Sequence, residues 1–314
     1  MTDASPRKIA VIGNGLMGAG IAQIFAAAGD EVMLIGRNAD SLSAARDKIA
    51  EGLAEFAKHD LLAGGSPEAA LARVHTSIDL KDAADAVFVV EAVIEDAALK
   101  NDIFGELDAI CAPSCILASS SGRPASSLIE KVKTPERVIA AHFWFPAPMI
   151  PVVEVCPGPK TSRDVVERTM AILRSVGKEP VEVIKELPGM IGNRIQFAIL
   201  REAWALWASG AASAEAIDMV VKKTLGRRLG ITGPLESAEL GGLDTLHAFA
   251  QSLLPHIDAS PEPDPKVSAL VADGARGYGN QRGTHDWPGR DGAALLDARR
   301  DELFRWLAKD SAEG

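Results

Sequence analysis

Short apolar runs separated by Ala-rich helical stretches dominate the first 186 residues. KIAVI (8–12), EVMLI (31–35) and AVFVVEA (86–92) have strand length, and CILAS (115–119), VIAAHFW (138–144) and PVEVI (180–184) continue the series. Uninterrupted apolar strands alternating with helices predict a parallel sheet covered on both faces. The pattern changes near Glu186. LPGMIGNRIQFAILREAWALWASG (187–210) reads as one long helix, with Pro188 near its start and Gly210 at its end. Helical periodicity alone follows, broken at 229–234 and at the Pro-rich 255–265. A Gly/Arg-rich stretch (274–292) then leads into a last amphipathic helix near 293–308. The expected architecture is α/β: a doubly wound parallel sheet over residues 1–186, then an all-helical domain over 187–314.

Composition narrows the class. A chain of 314 residues with 47% hydrophobic and 24% charged positions is long enough for one large domain or two ordinary ones, and to bury a real core. The net charge of −10 counts against a nucleic-acid partner and against an anionic membrane surface. No apolar run reaches the ~20 residues of a membrane span. The start, MTDASPRKIAVIG, passes straight into a strand pattern without the apolar core of a signal peptide. Cys111, Cys115 and Cys156 have neither zinc-like spacing nor an even number, so reduced thiols and a cytoplasmic location are expected.

The strongest local signal is Gly13-Asn14-Gly15-Leu16-Met17-Gly18, directly after the first strand and opening a helix over 16–28. Gly13 permits the tight turn, Gly15 lets the backbone approach a diphosphate, and Gly18 lets the helix pack on the strand. The first helical N–H groups, from Leu16 and Met17 on, then face the phosphates. Alone, such a pattern also marks plain turns. In a strand–turn–helix context it predicts a Rossmann domain that binds a nicotinamide dinucleotide. NAD-specific domains usually end their second strand in an acid that takes the ribose hydroxyls. Here that place is Gly36, followed by Arg37 and Asn38. The missing carboxylate removes repulsion against a 2′-phosphate and Arg37 can pair with one, which points towards NADP tolerance beside NAD. The plainer alternative is that Arg37 is a solvated loop residue.

His142 closes the strand run VIAAHFW, and Glu154 lies twelve residues on, in a segment able to return alongside it. Oxidation of a hydroxyl needs a base for the alcohol proton, and an imidazole backed by a carboxylate suits this. Taken singly, such a His is more often structural and such a Glu more often solvated.

Several motifs in one order make the chain resemble the 3-hydroxyacyl-CoA dehydrogenase family over nearly its whole length. They are GNGLMGAGIAQIFAAAG (13–29), VEAVIEDAALKNDIFGELD (90–108), ASSSG (118–122), HFWFP (142–146), PVVEV (151–155), LPGMIGNRI (187–195) and GPLESAELGGLDT (233–245). The resemblance implies a Rossmann domain followed by a helical dimerisation domain, and hydride transfer at the 3-hydroxy carbon of an acyl substrate such as 3-hydroxybutyryl-CoA. By matching position, His142 is similar to the family's base and Glu154 to its carboxylate partner. Ser121 and Asn193 are similar to the residues that hold the substrate oxygens, and Glu95 and Lys100 to those beside the cofactor. Without the match, Asn193 would be a polar position on a long helix, and Glu95 and Lys100 an exposed helix face.

The chain departs from the family pattern in four places. The serine loop is one residue short, so Ser120 is an alternative to Ser121. Phe145 stands where HFxNP has Asn, the second strand lacks its acid, and the C-terminal aromatic pattern is reduced to QRGTHDW (281–287). The basic helical hairpin expected for coenzyme A is here a short stretch (51–74) with only Lys58 and Arg73 among four carboxylates. Arg227 and Arg228, in TLGRRLGITGPLE (224–236), instead suggest relatives acting on free hydroxy acids, such as carnitine, gulonate or pyridine-carboxylate dehydrogenases. A third alternative is a crystallin-like protein that binds the cofactor without turnover; the retained His142, Glu154 and Asn193 count against it.

Overall fold

Neighbouring residues of the first strand, β1 (Lys8–Ile12), enter two different cores: Ile9 and Val11 pack on one side of the sheet, Ala10 and Ile12 on the other. That period of two is why the run is apolar throughout. The computed structural model describes residues 6–62 and 65–313. Within them the sheet continues with β2 (Glu31–Ile35), β3 (Val74–Ser77), β4 (Phe88–Glu91), β5 (Ile116–Ser119), β6 (Val138–Phe143), β7 (Val152–Pro157) and β8 (Glu179–Glu182). The order is β3-β2-β1-β4-β5-β6-β7-β8. Strands from β3 across to β6 run parallel, β7 is antiparallel to β6, and β8 runs with β7. The strand order reverses between β1 and β4, so a crevice opens at their carboxyl ends, where dinucleotides bind in such sheets.

Helices α1 (Leu16–Ala27), α2 (Ala39–Lys58), α3 (Pro67–Ala72) and α5 (Arg163–Ser175) contribute side chains to one core, and α4 (Ala97–Ile110) to the other. Their starts are capped as their sequences ask. Asn38, Ser66, Asp96 and Ser162 each accept a backbone N–H two or three residues inside the helix. The remaining helices are α6 (Gly192–Ala208), α7 (Ala214–Lys223), α8 (Leu225–Arg228), α9 (Pro234–Leu240), α10 (Leu243–Leu253), α11 (Pro265–Ala272) and α12 (Gly292–Glu313).

The chain divides into two compact units. One runs through Asn193 and takes in the chain from Arg299 on; the other is Arg194–Ala298. The sequence assigns all of 187–314 to the second domain. In the structure Phe304, 3% exposed, meets Phe56 edge-on at 5.4 Å and His59 stacked at 4.1 Å, so the end of α12 packs with the first unit. The second unit holds few buried apolar side chains among the described residues, Ala214 and Ala275, and α6 has none.

Other expectations shift by local geometry. The long helix starts at Gly192 rather than 187, because Gly189 (φ 79°) and Met190 (φ 50°) form a left-handed turn. Its end at Gly210, with φ 77°, is where the sequence places it. The three cysteines are buried free thiols. Among the described residues no helix is long and apolar enough to cross a membrane.

Candidate active site

The three loop glycines do three different jobs. Gly13 has φ 106°, and a Cβ on it would stand 2.6 Å from the Ala92 carbonyl oxygen at the end of β4. A Cβ on Gly18 would stand 1.8 Å from the Gly13 oxygen, so only glycine lets α1 lie this close to β1. Around Gly15, at the start of α1, a Cβ would meet nothing within 4 Å. The space there suits a diphosphate, which would receive the N–H groups of Leu16, Met17 and Gly18 at the positive end of α1. The donor set therefore fits a dinucleotide.

At the end of β2, a side chain on Gly36 would meet Asn14, 2.8 Å away, whose amide donates to Ser41 Oγ at 2.9 Å. A side chain at position 36 would therefore have to displace Asn14. Arg37 is exposed and makes no ion pair among the described residues.

Beyond β4, a buried relay supports the next loop. Lys100 Nζ, 1% exposed, donates to Glu91 Oε1 at 2.7 Å, and Ser119 Oγ donates to Glu91 Oε2 at 2.6 Å. Lys100 Nζ also lies 3.6 Å from Glu95 Oε1. Glu95 Oε2 accepts Ser121 Oγ and Arg123 Nε, each at 2.9 Å. Burial pushes the Glu95 carboxyl up, but Lys100, Ser121 and Arg123 outweigh it and hold it below the usual carboxylate range. Ser121 is buried, and its hydroxyl also accepts the Arg123 N–H at 3.1 Å. Ser120 is half-buried, and its hydroxyl has no hydrogen-bond partner among the described residues.

His142 and Glu154 sit directly opposite each other on the antiparallel strands β6 and β7. Opposed residues project to the same face, which explains how a spacing of twelve brings them together. His142 Nδ1 and Glu154 Oε2 are 2.9 Å apart. Glu154 is 3% exposed but fully engaged. Oε2 also accepts Trp144 Nε1 at 3.2 Å, and Oε1 accepts the backbone N–H groups of Ile191 and Gly192 at 2.8 and 3.0 Å, at the mouth of α6. Burial alone would raise its pKa; the His142 hydrogen bond and the two backbone N–H groups overcome this and keep it depressed. With Glu154 ionised, the neutral imidazole carries its proton on Nδ1 and presents a lone pair on Nε2.

Gly122 marks where the other groups converge. A Cβ there would stand 3.3 Å from Asn193 Nδ2 and 3.9 Å from His142 Nε2. The same loop is tied to the turn before α6 by Gly189 N–H to the Gly122 oxygen at 3.1 Å, and by Ser126 N–H to Glu186 at 2.8 Å. Lys178, buried, pins the loop between His142 and Glu154 by donating to the carbonyls of Ala147, Pro148 and Ile150. Burial pushes its pKa down to about 8.

The structure thus brings His142, Glu154 and Asn193 together. It sets Ser121, Glu95 and Lys100 in one chain beside the crevice, and the Gly13–Gly18 loop across it. Sequence reasoning missed Glu91 and Trp144. Glu91 had a signal: an acid inside a fully buried strand needs a partner. Trp144, next to an apolar strand end, had none.

A glycine-loop sheet carrying an imidazole–carboxylate pair at its carboxyl edge defines a nicotinamide-dependent oxidoreductase. Comparison with known proteins fixes the lineage. The 3-hydroxyacyl-CoA dehydrogenase NAD binding domain matches residues 8–187, and the C-terminal domain of the same family matches 189–287. The chain belongs to the 3-hydroxyacyl-CoA dehydrogenase family. It is 33% identical over 282 residues to a probable 3-hydroxybutyryl-CoA dehydrogenase of Deinococcus radiodurans, covering 89% of this chain and 100% of the relative. Human mitochondrial hydroxyacyl-coenzyme A dehydrogenase is 34% identical, with 85% and 87% covered. Among solved structures, an NAD+-dependent 5-formyl-3-hydroxy-2-methylpyridine 4-carboxylic acid 5-dehydrogenase superposes with a TM-score of 0.89 at 26% identity, over 98% of this chain and 99% of that one.

Proposed function

We propose that this protein oxidises a 3-hydroxyacyl-CoA such as 3-hydroxybutyryl-CoA to its 3-oxo form, reversibly, with His142 as the base. The observation that carries this is the His142–Glu154 pair, set in register on β6 and β7 with Nε2 left open beside Asn193. Bound at the glycine loop, NAD would supply the acceptor for the hydride that leaves the carbinol carbon. His142 Nε2 takes the hydroxyl proton, and Glu154 stabilises the resulting imidazolium. Asn193 and a serine hydroxyl hold the substrate oxygen and fix the approach. Ser121 is already engaged by Glu95 and Arg123, which favours Ser120 as that serine.

A second reading has its own support. The likeness to the pyridine-carboxylate enzyme extends over the whole chain, and Arg227 and Arg228 on α8 are exposed without ion pairs among the described residues. Either arginine could hold a free carboxylate. The purified protein, assayed at 340 nm with 3-hydroxybutyryl-CoA against 3-hydroxybutyrate, carnitine, gulonate and a hydroxymethyl-pyridine carboxylate, separates the two. Activity confined to the free acids rejects the thioester reading, and cofactor binding without turnover on any of them favours a crystallin-like role.

NADP tolerance rests on Gly36, Asn14 and Arg37. Arg37→Ala should raise KM for NADP about tenfold while leaving that for NAD nearly unchanged; equal effects on both would reject a phosphate clamp.

The second unit supports a two-fold dimer, because Phe197, Met219, Leu235, Leu240, Leu243 and Phe249 are all more than half exposed on it. Light scattering should return twice the 33.1 kDa chain mass; a monomeric mass at micromolar concentration would reject it. A small-molecule substrate, no nucleic acid and a cytoplasmic location complete the reading.

A further inference from the structure

Trp144 reaches the base from two sides. Its indole N–H donates to Glu154 Oε2, the same oxygen that faces His142 Nδ1. Its six-membered ring occupies the place of a side chain at position 192, since a Cβ on Gly192 would come within 2.1 Å of Trp144 Cζ2. Gly192 in turn gives its N–H to the other oxygen of Glu154, and the next residue is Asn193. The indole also meets the His142 ring edge-on, with centroids 5.3 Å apart and planes at 60°.

We infer that Trp144 is a positioning residue for the base: by sharing Oε2 with the imidazole it limits how tightly Glu154 holds protonated His142, and its ring seats the start of α6. This rests on the reading of His142 as base. One carboxylate oxygen serving two N–H donors gives less to each than it would give to one. A base for alcohol oxidation must be neutral before it accepts a proton. A His142 held too strongly by Glu154 would already be charged near pH 7 and could not act. The charged group facing His142 from β7 is Glu154. Further along β7 the Cys156 thiol is pushed up to about 11 by burial, then by Glu186 and Glu154, and stays neutral. The serine loop and α6 present Gly122 and Asn193, both uncharged. The nearest cation on the serine loop, Arg123, is taken up by Glu95, with its Nε 2.9 Å from Glu95 Oε2.

Two variants test this by different routes. Trp144→Phe keeps an aromatic ring and removes the donor. Gly192→Ala keeps the indole but drives it off its seat. The pH midpoint of the His142 imidazole is read from its 15N resonances, assigned by their absence in His142→Ala. In each variant it should rise by about 0.5–1 pH unit, a three- to tenfold tighter hold on the proton. The acid limb of kcat/KM for oxidation should move up equally, whatever the height of the high-pH plateau. The double variant should match Trp144→Phe alone, because a phenyl ring lacks the atoms that a residue at 192 would meet. A purely structural role would lower activity at every pH and leave the midpoint in place. An unmoved midpoint in whichever variant folds overturns the inference. Full activity of His142→Ala would instead overturn the base assignment, and the resonance titration would still decide whether Trp144 loads Oε2.

Discussion

His142→Ala should lower kcat by roughly 10²–10⁴, the usual effect of removing a general base, with the dissociation constant for NAD changed less than about twofold. The size of the loss follows from geometry. Nε2 is a basic atom at the point where Gly122 and Asn193 converge, and Nδ1 is committed to a carboxylate that is itself fully hydrogen-bonded. No neighbouring group among the described residues offers a substitute lone pair of comparable basicity there. Fluorescence titration of NAD beside steady-state kinetics checks both halves. A variant with wild-type turnover would remove His142 from the chemistry, and one that lost NAD binding as well would make the residue structural.

The second large effect comes from the glycine loop, where two neighbouring substitutions should fail for opposite reasons. Gly18→Ala forces a methyl to within 1.8 Å of the Gly13 oxygen. Helix α1 must then move off β1, so stability should fall by about 3 kcal/mol, the upper end of overpacking costs, and NAD binding should weaken with it. Gly15→Ala meets nothing within 4 Å, so its urea midpoint should match wild type. Its methyl stands where the diphosphate must approach, and NAD affinity should drop at least tenfold, about 1.4 kcal/mol. Urea unfolding and NAD titration of both variants measure this contrast. Equal stability losses in the two would contradict the separate roles of the glycines.

Much of the fold was legible in the sequence, and the exceptions have physical causes. The strands β1, β2, β4, β5 and β6 are buried on both faces, so burial itself writes them as unbroken apolar runs. Strand β3 went unseen because it is an edge: Val74 is buried while His75 and Thr76 are exposed, and VHTS carries no run to read. The late start of α6 is a backbone event, two left-handed residues at Gly189 and Met190, and Met at such a position gives no warning. The end of α12 joins the first unit through Phe304 on Phe56 and His59, a contact between distant segments that no local pattern encodes.

The site divides in the same way. His142 and Glu154 were legible because hairpin register converts a sequence spacing into a contact. Lys100 and Glu95 carry no local signal beyond the motif, and in the structure the Lys100 ammonium bonds Glu91 and lies 3.6 Å from Glu95, which holds the buried Ser121 hydroxyl. The choice between Ser120 and Ser121 depends on which hydroxyl already has a partner, and that is a property of side-chain geometry alone.

The most direct measurement is a crystal structure of the protein with NAD and an unreactive 3-oxo substrate analogue. The account predicts the analogue's 3-oxygen within hydrogen-bond distance of His142 Nε2 and Asn193 Nδ2, with the nicotinamide ring packed on the opposite side of the carbonyl carbon. An analogue bound beyond reach of His142, or a nicotinamide lying away from the carboxyl ends of β1 and β4, would contradict it.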